Sequence, residues 1–222
     1  MRKNYQLIRS KRKSLALQVV GAGELVVRAP ERMPVRIIEA FIAEKQAWIE
    51  AAQARQQQRA QHAQQRWQEG ARIPYLGKPL TLLSDASAHK PRREAGHLVI
   101  PKVPLEQQQA LVYQWYREKA RPVFAAAMET HFPYFERLGY QLPKLHIKLM
   151  KTRWGSLSSR GNMSLNLLLM QYPPQCLHSV VVHEFCHLVH MHHGPEFYAL
   201  LDERYPNWRQ ADALLKSSPH YG

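Results

Sequence analysis

Two short apolar runs open the chain. Ser14-Leu15-Ala16-Leu17-Gln18-Val19-Val20 and Glu24-Leu25-Val26-Val27-Arg28-Ala29-Pro30 flank Gly21-Ala22-Gly23, and together they read as a β-hairpin. Pro30 closes the second run, because it has no N–H to give a ladder. From Val35 the period lengthens: Ile37, Ile38, Phe41, Ile42, Trp48 and Ile49 recur at helical spacing. That helix runs on toward 51–65, where Ala, Gln and Arg replace the apolar anchors, so this stretch reads as exposed helix or linker. Residues 70–100 break into short strands and turns, with Tyr75-Leu76-Gly77-Lys78-Pro79-Leu80 as one element. Helical spacing returns over 105–128 through Leu111, Tyr113, Trp115, Ala120 and Phe124. Strand-like runs at 144–150 and 162–170 enclose a turn region at 152–161, and a helix follows over 173–190.

Composition bounds this picture without changing it. The 222 residues are 45% hydrophobic and 22% charged, which suits a globular domain with an ordinary core. The longest apolar runs, such as 165–170, are far too short to span a bilayer, so no membrane segment is expected. Met1-Arg2-Lys3-Asn4-Tyr5-Gln6 lacks the apolar core of a secretory signal, and two cysteines make no disulfide framework. A cytoplasmic setting is the expectation. Charge does alter the list of partners. A net charge of +14 concentrates anions near the surface, and Arg2, Lys3, Arg9, Lys11, Arg12 and Lys13 precede the first acidic residue, Glu24. That run serves either as a solvated strand edge that discourages edge pairing or as a surface for nucleic acid.

Chemistry is concentrated in the 173–190 helix, at His183-Glu184-Phe185-Cys186-His187. Histidines four apart stand one turn above each other and can converge on one ion, while the Glu between them lies about 100° round the helix, able to reach water on the metal. Leu177, Val181, Val182, Phe185, Leu188 and Val189 occupy the opposite arc, so the helix is expected to be buried with its polar edge turned into a cleft. A catalytic zinc needs a third protein ligand and one open position. His190, His192 and His193 are the candidates. His190 sits about 10 Å along the axis from His183 if the helix stays regular. A bend before Gly194-Pro195 would return His193 to the metal, which makes His193 the preferred third ligand.

Val181-Val182-His183-Glu184-Phe185-Cys186-His187-Leu188, followed by His193 and Phe197, resembles the YgjP-type metal-dependent hydrolases. So do Arg153-Trp154-Gly155-Ser156, Gly161-Asn162, Leu165-Asn166, the strand ending Arg28-Ala29-Pro30 and the helix carrying Trp48-Ile49. His193-Gly194-Pro195-Glu196-Phe197 is more distantly similar to the third-ligand segment of SprT-type zinc proteases, which cleave proteins crosslinked to DNA. The resemblance implies an α+β fold with a zincin-like metallopeptidase core behind an N-terminal β-hairpin and helix, and supports His193 as ligand. Leu157 departs from the pattern, where the family commonly has Cys.

The expected organisation is therefore residues 1–70 as hairpin plus long helix or linker and 71–222 as a zincin-like metallohydrolase domain, or the two as one continuous domain. The expected function is a zinc (Zn2+) hydrolase with His183, His187 and His193 on the metal and Glu184 as general base for a metal-activated water, acting on peptides or proteins. Two other readings stay open. One is hydrolysis of a phosphoanhydride in a nucleoside triphosphate, and the other a nucleic-acid-binding module whose zinc is structural.

Overall fold

The hairpin at the start of the chain forms, but it belongs to a larger sheet. In the computed structural model, which describes residues 5–21 and 23–217 (side chains of 59–65 apart), β1 (Tyr5–Ser10), β2 (Ala16–Val20) and β3 (Glu24–Pro30) pair in the order β1-β3-β2. β3 runs antiparallel to β2 and parallel to β1, a strand that the sequence pattern left unassigned. Alternate residues of the central strand, Leu25, Val27 and Ala29, are buried against Ile38 and Ile49. Arg9, one of the basic N-terminal residues, has a structural task. Its guanidinium donates to the carbonyls of Pro30, Glu31 and Met33 at 3.1, 2.7 and 2.9 Å, satisfying backbone groups just where β3 ends. Arg2 and Lys3 of that run, and Ala22 of the turn, lie outside the described residues.

The helical pattern that follows resolves into two helices, α1 (Val35–Glu44) and α2 (Gln46–Gln65). Lys45 separates them with φ −96° and ψ 12°. The polar, low-complexity stretch is thus helix rather than linker. By its contacts the chain divides into two compact units, Met1–Arg66 and Trp67–Gly222.

The second unit begins with β4 (Arg72–Tyr75), β5 (Lys78–Asp85), β6 (Arg92–Glu94) and β7 (His97–Pro101), paired in the order β4-β5-β7-β6. Two helices follow, α3 (Leu105–His131) and α4 (Pro133–Arg137). A second sheet, in the order β8-β10-β9, is built from β8 (Lys144–Lys148), β9 (Gly155–Leu157) and β10 (Asn162–Asn166). β10 is its centre, parallel to β8 and antiparallel to β9. The chain closes with α5 (Pro174–Val189), α6 (Pro195–Arg204) and α7 (Trp208–Lys216).

Two details differ from the pattern reading. The region expected as turn contains β9, and the strand expected to reach Met170 stops at Asn166, giving way to a 3-10 turn over Leu167–Gln171. Asn166 supplies the reason. Its Oδ1 accepts from the Leu168 N–H at 3.2 Å, while its Nδ2 donates to the Met150 and Arg153 carbonyls at 2.8 and 3.0 Å. Capping by a side chain competes with the ladder and ends the strand. Leu167, Leu168, Leu169 and Met170 are all buried, and a short apolar run carries no period to separate strand from turn.

α5 lies at the middle of the unit, in contact with α3, α6, α7 and the edge strand β9. Trp115, Tyr116 and Phe124 of α3, Phe135 of α4, Phe185 of α5 and Phe197 of α6 are fully buried in one core. Their apolar burial fixes the helix that carries the chemistry. The architecture is α+β. No helix among the described residues is long and apolar enough to cross a membrane.

Candidate metal centre

Four residues of the apolar arc read from the sequence, Leu177, Val181, Val182 and Phe185, are buried and pin α5, while Leu188 and Val189 are half-buried. Cys186, outside that arc, is buried as well, and His183 and His187 emerge half-buried on the other side. The helix ends where a bend was needed. His190 is extended, with φ −124° and ψ 106°, and Gly194 precedes α6 with Pro195 in its first turn. The chain doubles back, and His193 Nε2 comes to 3.2 Å from His183 Nε2 and 3.1 Å from His187 Nε2. One proton can join only one such pair, so a third imidazole nitrogen at the same point is left lone pair against lone pair unless a cation sits there. Two nitrogens each about 2.0–2.1 Å from one ion at a tetrahedral angle stand roughly 3.3 Å apart. The donor set therefore fits a metal ion. Among the described residues these three form the cluster of metal-ligating side chains.

Neighbouring groups prepare the imidazoles. His187 Nδ1 donates to the His190 carbonyl at 3.1 Å, which fixes the tautomer and leaves Nε2 free to face the cluster. Burial, then the proximity of His187 and His193, lowers the His183 pKa to about 4, and burial also lowers that of His187. Both rings are thus held neutral, the form in which nitrogen binds a metal. Phe197 supports all three, its ring centroid 5.0, 4.8 and 4.6 Å from those of His183, His187 and His193.

Glu184 is 5% exposed. Burial raises its pKa to about 7, against the opposing pull of a hydrogen bond from the Leu157 backbone N–H and of the Arg153 charge. A carboxyl group poised near neutrality can take and return a proton. Its neighbour on the sheet side is Gly155, whose absent side chain matters: a Cβ there would stand 2.5 Å from Glu184 Oε1 and 2.8 Å from Val180 Cγ1. The edge strand β9 thus lies against the carboxylate. A cleft of about 360 Å³ opens from His183 and Glu184, bordered by Arg153, Tyr198, Trp208 and Asp212. Another of about 580 Å³ opens at His187, beside Tyr140, Leu157 and Met191. The cluster stands between them.

Of the residues weighed in the sequence, His183, Glu184, His187 and His193 are brought together. His190 contributes its carbonyl rather than its ring, and His192 is exposed. Cys186 faces the core as a free thiol whose pKa burial pushes up to about 12, which makes it inert. Gly155, the Leu157 N–H and all of α7 escaped the pattern reading. Backbone donors and close approaches carry no side-chain signature.

Residues 13–218 match the family model of the YgjP-like metallopeptidase domain. The chain belongs to the YgjP-like family. As a member it is a metal-dependent hydrolase of peptides or proteins, and a divalent metal belongs to that chemistry. Among solved structures, the metallopeptidase zymogen abylysin of Pyrococcus abyssi is similar to this YgjP-like chain at 19% identity, over 42% of this chain and 92% of that one, with a TM-score of 0.37. None of the curated proteins matches the sequence.

Proposed function

We propose that this YgjP-like protein is a zinc peptidase in which His183, His187 and His193 hold the ion through Nε2 and Glu184 is the general base. The observation that carries the reading is the convergence of three imidazole nitrogens beside a buried carboxyl group, with one cleft lined by His183 and Glu184 and another by His187. Three neutral nitrogen ligands suit zinc and leave a position open. Bound there, zinc supplies Lewis acidity toward the scissile carbonyl. Glu184 takes a proton from the attacking water and delivers it to the leaving amine, which its raised pKa allows in both directions. The Leu157 N–H orients the carboxylate, and Arg153, close enough to act electrostatically on Glu184, provides positive charge where the carbonyl oxygen gains negative charge. The His190 carbonyl keeps His187 in its binding tautomer.

Two variants test this. Glu184→Gln should keep one equivalent of zinc by elemental analysis and lose peptide cleavage by at least a hundredfold, about the effect of a positioned acid–base group. His187→Ala should lose the metal. A Glu184→Gln enzyme that cleaves at the wild-type rate, or a His187→Ala protein that retains zinc, removes the assignment. Release of diphosphate from nucleoside triphosphates by a protein that cleaves no peptide would replace the peptidase reading with phosphoanhydride hydrolysis.

A further inference from the structure

The 360 Å³ cleft beside His183 and Glu184 has a wall that none of the chemistry above uses. It is aromatic and built outward from the metal ligands. The Tyr198 ring lies 6.1 Å from that of His193 and stacks on Trp208 at 5.7 Å with the planes 24° apart. Trp208 is itself held from behind: its indole N–H donates to Asp202 Oδ1 at 2.7 Å, and Arg209, bound to both oxygens of Asp202 at 2.5 and 3.1 Å, lies over its ring at 4.6 Å. This support fixes the stack in place. Val180, Leu201 and Leu215, all buried, complete an apolar lining. Tyr198, however, is 38% exposed, the most open of the aromatic and apolar lining groups, and its ring faces that of His193. An aromatic ring that is held rigid and left uncovered beside a reaction centre has its binding energy still to spend.

Charge at the rim narrows what enters. Lys216 is paired with Asp212 at 2.7 Å, and Arg153 stands on the Glu184 side. A lysine or arginine side chain would meet the Arg153 charge and find the Asp212 carboxylate already taken by Lys216, whereas a flat apolar group would be repelled by neither and would cover Tyr198.

We propose that this cleft is a side-chain subsite for a large apolar residue, aromatic above all, directly next to the bond that is cut, with Tyr198 as its wall and Trp208 as the support of that wall. The proposal rests on the peptidase reading for the position of that bond. A subsite of this kind separates an aromatic from a methyl side chain by roughly tenfold to a hundredfold in kcat/KM.

The test compares wild type, Tyr198→Ala, Tyr198→Phe and Trp208→Ala on alanine-based peptides carrying one phenylalanine at each position in turn. One position should show a strong phenylalanine preference. Tyr198→Ala and Trp208→Ala should reduce it to near unity, and Tyr198→Phe, which restores the ring without the hydroxyl, should keep it. In parallel, calorimetry on the zinc-loaded proteins compares phenylalanine hydroxamate with alanine hydroxamate, a binding readout that needs no turnover. The aromatic ligand should bind at least tenfold more tightly to wild type and lose that advantage in Tyr198→Ala. Equal preference in wild type, or a preference that survives Tyr198→Ala unchanged, overturns the subsite. A protein that cleaves no peptide yet keeps the hydroxamate difference leaves the subsite standing and removes the peptidase reading instead.

Discussion

Gly155 shows how much a single residue can decide. The edge strand approaches Glu184 so closely that a methyl group at this position would overlap Oε1 and Cγ of the carboxylate side chain and Val180 behind it. Neighbouring backbone and a buried rotamer leave little room to yield, and overpacking of this kind costs about 1–3 kcal/mol. Gly155→Ala is expected to keep its metal, because none of the three histidines proposed as ligands is touched, while kcat falls by at least roughly tenfold as the carboxylate is turned from its place. Full activity in a metal-replete Gly155→Ala protein would show that the carboxylate has more freedom than its packing indicates. At this scale the histidines and Glu184 were legible, since residue type and a spacing of four already state which groups can share an ion. Gly155 and Leu157 were not, because the first acts by lacking a side chain and the second through its backbone N–H.

Elements succeed or fail here by what terminates them. α5 had to stop at His190 for His193 to return, and the Gly194-Pro195 pair announced that break in the sequence. The strand expected to run to Met170 offered no such notice, since Asn166 ends β10 by bonding to carbonyls more than ten residues upstream. With Asn166 2% exposed, Asn166→Leu would leave the Met150 and Arg153 carbonyls and the Leu168 N–H without their partner. Each unsatisfied buried group costs about 1–3 kcal/mol. Only the Leu168 bond is fully buried, and the two carbonyls are part-buried, within reach of water. A loss of about 2–4 kcal/mol in urea unfolding is therefore expected, together with a rise in KM as the loop bearing Arg153 loosens. A variant as stable as wild type would mean that water replaces the amide. Likewise, the single helical pattern over 35–65 hid the break at Lys45, where no proline or glycine marks the turn.

Across the whole molecule, stability itself should respond to pH through a histidine pair outside the His183, His187 and His193 cluster. His131 Nε2 and His178 Nδ1 are 2.9 Å apart, joining the end of α3 to α5, with Tyr205 against the His131 ring. Burial, then the nearness of His178, lowers the His131 pKa from 6.5 to about 4, and burial lowers that of His178. A folded pKa below the unfolded one means that the unfolded chain binds protons first as pH falls. The contribution is complete above about pH 6.5 and is lost as pH drops toward 4. Relative to His131→Gln, wild type should therefore hold its largest stability margin near pH 7 and a smaller one at pH 5, measured by urea unfolding; a margin independent of pH would disprove the linkage. None of this pairing is visible in the sequence, where the two histidines are 47 residues apart. By itself the sequence determined the chemistry on offer, since the paired histidines, the acid beside them and the helical face that carries both are set by local spacing and by the amphipathic period. Only the tertiary structure decided where that chemistry points: the third strand of the first sheet, the edge strand against Glu184, and the aromatic wall of α6 and α7 all depend on contacts between distant segments, for which no local period exists.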